Sequence, residues 1–116
     1  MEKPKIHYMK LHNSPFLSIK NKTKTIEMRL NDEKRSLIKK GDYIVFTNFE
    51  NDEKIKTQVV NLYKYTNFEE LYKAHDKKKI GYTTNEIANP CDMLKYYSQE
   101  QIEKYQVLAI EISLVD

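Results

Sequence analysis

Apolar and polar residues alternate with a period of two in several short runs, and the stretches between those runs are too short and irregular for long crossover helices. This constrains the fold more than any other feature, because a period of two places every second side chain on one face of a strand. Lys5 to Leu11 alternates Ile6, Tyr8 and Lys10 against His7, Met9 and Leu11 and reads as a first strand. Thr25 to Leu30 puts Ile26, Met28 and Leu30 on one face and Thr25, Glu27 and Arg29 on the other, a second strand with one buried face. Tyr43 to Phe49 is nearly continuous in apolar character and reads as a central strand. Lys54 to Tyr65 follows the hairpin loop Glu50–Glu53 as an antiparallel partner, and Val107 to Val115 closes the chain as a last strand.

Short helices fall between these strands. Ser14 as cap with Pro15 at the first helical position predicts a helix to Lys20. Asn31 or Asp32 caps a turn of helix with Leu37 and Ile38 facing inward. Asn67 with Glu70, and Ser98 with Gln101, have capping-box spacing. The expectation is one domain over residues 1–116, mainly β with short helices (α+β), a small β-barrel of about five to six strands rather than an open sheet of parallel βαβ units.

Length and composition exclude several classes. The 116 residues suffice for one modest core, and 40% hydrophobic with 32% charged residues is too apolar for disorder. Cys91 is the sole cysteine, so neither an intrachain disulfide nor a Cys-rich zinc site is expected. His7, His12 and His75 lack metal-ligand spacing, and Gly41 and Gly81 are isolated rather than part of a phosphate loop, so neither a metal nor a cofactor is implied. The N-terminal stretch has no apolar core of a signal peptide and no run is long enough to span a membrane, which suits a cytoplasmic protein without a membrane partner.

Charge is unevenly placed. The net charge is +3, yet the first thirty residues carry seven Lys/Arg against Glu2 and Glu27 while the remainder carries thirteen against fifteen. The stretch NKTKTIEMRLNDEKR, Asn21 to Arg35, lies within and just after this basic quarter. Glu27 and Arg29 are two apart and share a strand face. Strict alternation would put Lys24 on the opposite face, so a common pocket for all three requires an irregular strand start. The Lys77–Lys79 run is most simply a solvated loop.

The segment KTKTIEMRLNDEKR, followed by IKKGDYIVFTN, resembles the ASCH family, named for homology to activating signal cointegrator 1 and built on a PUA-like barrel. The family signature is Gly-x-Lys-x-x-Glu-x-Arg. Lys24, Glu27 and Arg29 match it, and Lys22 stands at the glycine position. LHNSPFLSIKN before the motif, TNFEELY in the middle and YYSQEQIEKYQVLAIEI at the end extend the resemblance over nearly the whole chain. A glycine at position 22 would permit positive φ, so Lys22 there implies either a different turn or a tolerated strain, with Asn21 as the alternative candidate for the left-handed position.

The resemblance implies an RNA-linked role: binding of RNA, a nucleotide or a nucleoside in a polar cleft on the Lys24/Glu27/Arg29 strand. One branch of the family consists of amidohydrolases acting on N4-acetylcytidine, which use the motif lysine, a threonine at the motif's glutamate position and a downstream glutamate. This chain keeps Lys24 but has Glu27 in place of that threonine, and Thr25 would point away from Lys24. The alternatives are therefore a small hydrolase acting on RNA (a ribonuclease) or on a modified nucleoside, with Lys24 and Glu27 as its catalytic pair, and a protein-interaction domain without catalysis, with a protein partner in place of RNA.

Physical roles follow from residue type. Lys24 would neutralise a phosphate, stabilise an oxyanion or, withdrawn from water, act as a base. Glu27 would accept from a base amino group or activate a water. Lys22, Arg29, Arg35 and Tyr97 are the candidate nucleic-acid contacts, with Tyr8 and Phe16 as further rings for base stacking. Asp32 and Asp42 are candidate structural supports of the site.

Overall fold

The computed structural model describes residues 3–115. Five strands form one sheet: β1 (Ile6–Leu11), β2 (Ile26–Leu30), β3 (Tyr43–Asn48), β4 (Lys54–Tyr65) and β5 (Val107–Leu114), in the spatial order β1-β3-β4-β5-β2. The pairs β3–β4, β4–β5 and β2–β5 are antiparallel, as a chain joined by hairpins and short connections favours. The pair β1–β3 is parallel, with Ile6 opposite Tyr43 and Leu11 opposite Asn48. This departs from the expectation that parallel units are absent. The crossover between β1 and β3 is made by the first helix together with β2, which pairs elsewhere.

The sheet curls, helped by a register shift in β4 between Val59 and Asn61, and bulges of this kind increase local twist. One face of the sheet, here called the inner face, buries Met9, Phe16, Ile44, Phe46, Leu108 and Ile110. A second core on the outer face joins Ile26, Met28 and Val107 to Phe68, Leu71 and Met93 from the helical second half. β5 therefore supplies both cores with alternate residues, which explains its unbroken apolar character. The result is a small α+β barrel whose seam lies between the edge strands β1 and β2.

Among the described residues three α-helices complete the fold: α1 (Asn13–Lys20), α2 (Phe68–Ala74) and α3 (Gln99–Tyr105). The caps of α2 and α3 are those expected. Asn67 Oδ1 accepts the Glu70 N–H at 2.9 Å, and Ser98 and Gln101 form a reciprocal capping box. The start of α1 differs: His12 is the cap residue, without a side-chain bond, and Ser14 lies inside the first turn. Ile38 is buried as expected, but Leu37 is 62% exposed because the segment after β2 forms only a 3-10 turn, Arg35–Leu37, too short to carry two inward positions.

Candidate functional site

The site begins with the chain leaving α1. The Ser18 carbonyl accepts the backbone N–H groups of Thr23 and Lys24, each at 3.0 Å, together with the Thr23 hydroxyl. Lys22 itself takes the left-handed conformation, φ +66°, while Asn21 stays at φ −84°. The alternative that Asn21 would absorb this turn is corrected. The Lys22 N–H closes onto the Ile19 carbonyl at the helix C-terminus, and that closure demands positive φ one residue later than Asn21.

Regular pairing starts only at Ile26, after the Thr25 and Ile26 N–H groups have both bonded the Lys79 carbonyl. The irregular entry frees Lys24 from strand alternation. Its Nζ reaches Glu27 Oε1 at 2.9 Å, although a regular strand would set the two on opposite faces. Glu27 lies opposite Ile110 and Arg29 opposite Leu108, so both fall on the face of the sheet that carries the first core. The half-buried reading of β2 is therefore also corrected: Glu27 is only 4% exposed and Lys24 only 8%, since the curled sheet encloses the polar face too.

Glu27 is saturated with donors. Oε1 accepts from Lys24 Nζ and from the Met28 backbone N–H at 3.1 Å, and Oε2 accepts from Arg29 Nε at 3.1 Å and Nη2 at 3.0 Å. Burial alone would raise its pKa, but Lys24 and Arg29 outweigh burial and hold the carboxyl at about 2. For Arg29, burial is opposed by Glu27, and the net effect raises its pKa. Arg29 Nη2 also donates to the Lys10 carbonyl at 3.2 Å, so one guanidinium ties β2 to β1 across the seam.

A cavity of about 460 Å³ opens beside this triad. Lys24, Glu27, Arg29 and Tyr97 all line it, as does Lys10 from β1. Tyr97 stacks on Phe68, with centroids 6.1 Å apart and ring planes 11° from parallel. Its phenol is raised by burial, against the lowering effect of Arg29.

The other expected residues lie outside this lining. Lys22 is exposed on its turn. Arg35 pairs with Asp32 in the turn after β2, through its backbone N–H at 2.9 Å and its Nη1 at 3.4 Å. Asp42 gathers His7 Nε2 at 2.8 Å and the Lys5 and Lys39 N–H groups at 3.1 and 3.0 Å. Burial would raise the Asp42 pKa, but these bonds lower it, and the cluster ties the start of β1 to the turn before β3. Tyr8 is 61% exposed on the outer face, and Phe16 is fully buried in the inner core, so neither ring reaches the cavity.

Sequence reasoning missed part of the lining. Tyr72 on α2, Tyr82 in the following loop and Asp92 in a 3-10 turn (Pro90–Lys95) all line the cavity. Gly81, at φ +114°, lies against the stem of Lys24, and an added Cβ there would stand 3.3 Å from Lys24 Cδ. The Lys77–Lys79 run is more than a solvated loop, because the Lys79 carbonyl clamps the start of β2. An isolated Gly-Tyr pair in a polar loop carries no periodic signal, so only the folded contacts reveal these residues.

Among the described residues no group of three or more His, Cys, Asp or Glu side chains could hold a metal ion, and no helix is long and apolar enough to cross a membrane.

A curled five-stranded sheet with short helices and a polar cleft at its seam defines a protein of the PUA-like class. The family model for the ASCH domain matches residues 9–116, and the chain belongs to the ASCH family. No curated protein sequence matches it. Among solved structures, the crystal structure of hypothetical protein PH0355 superposes with a TM-score of 0.80 at 30% identity, covering 96% of this chain and 99% of that one. The solution NMR structure of protein PF0455 from Pyrococcus furiosus superposes with a TM-score of 0.75 at 31% identity, covering 96% and 98%.

Proposed function

We propose that the seam cleft binds a nucleotide, free or as an unpaired residue of RNA, with its phosphate on Lys24 and Arg29. The observation that carries this reading is a buried triad of two cations on one carboxylate, facing a cavity of ligand size. The cavity lies within the ~300–1,000 Å³ of small-molecule sites. Glu27 occupies one of the three ammonium hydrogens of Lys24 and the Nε/Nη2 edge of Arg29. The Lys10 carbonyl takes a further Nη2 hydrogen, which leaves two ammonium hydrogens and Nη1 for an anion. Tyr97 supplies a ring on which an unpaired base can stack.

The same geometry favours binding over general-base hydrolysis. A carboxylate held at about 2 is a poor proton acceptor near neutrality, and its geometry suits holding Lys24 and Arg29 in place. An inert protein-interaction domain would have the triad paired and no adjoining cavity, whereas here the cavity adjoins it.

The test is a titration of nucleoside monophosphates and short single-stranded RNAs at rising salt. Lys24→Ala and Arg29→Ala should each weaken binding by roughly ten- to a hundredfold, the range expected for removal of a charge-assisted hydrogen bond. The salt slope for RNA should fall by about 0.7 for each phosphate that is no longer neutralised. Binding that ignores both salt and the double variant would overturn the reading.

A further inference from the structure

The wall of the cavity formed by Tyr72, Tyr82 and Asp92 has a direction written into its hydrogen bonds. The Tyr82 hydroxyl lies 2.7 Å from Asp92 Oδ2 and 3.3 Å from the Asn89 carbonyl oxygen, and both of these are acceptors. Its one hydrogen is therefore committed to them. The Tyr72 hydroxyl is 2.9 Å from that of Tyr82, so in this pair Tyr72 must donate and Tyr82 accept. Both phenolic hydrogens are thereby used within the protein. What the chain can offer a ligand is acceptor capacity alone: a lone pair on Tyr72 Oη and the second carboxylate oxygen of Asp92, whose residue lines the cavity. Burial, together with the bond to Asp92, pushes the Tyr82 phenol strongly upward, so it keeps its proton and the direction of the hydrogen-bond chain persists across ordinary pH.

The triad in the same cavity is the reverse, a set of donors on Lys24 and Arg29. Apolar side chains of Met28, Ile80 and Met93 also line the space. A ligand matching all three needs an anionic end, a flat apolar body and hydrogen-bond donors at another edge. We propose that the Tyr72–Tyr82–Asp92 wall selects a nucleobase presenting an exocyclic amino group, adenine or cytosine, over one presenting a carbonyl at the same position, hypoxanthine or uracil. This rests on the nucleotide reading of the cleft and adds the identity of the base. A carbonyl placed there would face acceptors and lose its water without replacement, whereas an amino group would donate to them.

The experiment compares isosteric pairs, AMP against IMP and CMP against UMP, by calorimetry, with short oligocytidylate and oligouridylate as the RNA arm. The amino member of each pair should bind at least about tenfold more tightly. If the preference appears with mononucleotides alone, the ligand is a free nucleotide; if it appears with oligomers, the wall reads a base of RNA. Asp92→Asn turns one acceptor oxygen into a donor and should shrink the preference to near unity or reverse it. Tyr82→Phe keeps the ring but frees the Tyr72 hydrogen, and should also shrink it. Equal binding within each pair by the wild-type protein, with Lys24→Ala weakening all four alike, would overturn base selection and leave the cleft reading intact. An unchanged ratio in both folded variants would overturn the assignment to this wall. Failure of every nucleotide and oligomer to bind would overturn the cleft reading and this inference together.

Discussion

Glu27 is the residue on which the cleft turns. It is nearly inaccessible and holds two cations and a backbone N–H, so its charge is stabilised by the fold and by little else. Its carboxyl titrates at about 2 in the folded protein against 4.5 as the ordinary value. The unfolded chain therefore takes up this proton first as pH falls. The stabilisation is fully present above about pH 4.5 and is lost toward pH 2, and it amounts to about 3 kcal/mol at ~1.4 kcal/mol per pKa unit. Urea unfolding at pH 7, 4 and 3 should show that decline. Glu27→Gln should flatten it while lowering stability at pH 7 by roughly 3–5 kcal/mol, because two buried cations lose their counter-charge. A Glu27→Gln protein with wild-type stability at pH 7 would refute this account. Lys22 is the opposite case, an exposed residue in a left-handed conformation at a turn the family fills with glycine. It governs the entry to the strand but does not touch the cavity.

Among the elements, β2 combines the most legible pattern with the least legible boundary. Its position and its apolar Ile26, Met28 and Leu30 were readable from alternation. The place where alternation stops was not. That depends on the Ser18 and Lys79 carbonyls, which capture the backbone of residues 23–26 from outside the strand. The two capped helices of the second half were readable for a local reason: a cap is a bond between residues three apart. Ser98→Ala should cost about 1 kcal/mol, visible as a fall in melting temperature of roughly 3–6 °C, with the β-sheet signal otherwise unchanged. The 3-10 turn Pro90–Lys95 carries a cap of the same local kind, Asn89 accepting the Cys91 N–H ahead of the helix, but nothing local indicates that it and the loop carrying Gly81 and Tyr82 share a cavity with the triad.

At the scale of the whole molecule, the barrel leaves a seam between β1 and β2, and Arg29 spans it from Glu27 to the Lys10 carbonyl. Arg29→Met should destabilise the protein by about 3 kcal/mol, since Glu27 then keeps only Lys24 as a charged partner. Amide exchange should quicken in Ile6–Leu11 and Ile26–Leu30 while the β4–β5 pair stays protected. Uniform acceleration across the sheet would argue against a seam-specific role. The sequence by itself determined the strands, the two strong helix caps, the concentration of positive charge before residue 31 and the membership of Lys24, Glu27 and Arg29 in one motif. The strands and caps are encoded in periodicity or in spacings of a few residues, the charge in composition, and the motif in the resemblance to the family. Only the tertiary structure decided that Lys24 and Glu27 meet and that the polar face of β2 is enclosed. It alone brought Tyr72, Tyr82 and Asp92 to the same cavity. Those outcomes depend on backbone hydrogen bonds and packing between segments far apart in the chain, such as Thr25 with Lys79, and no local pattern carries that information.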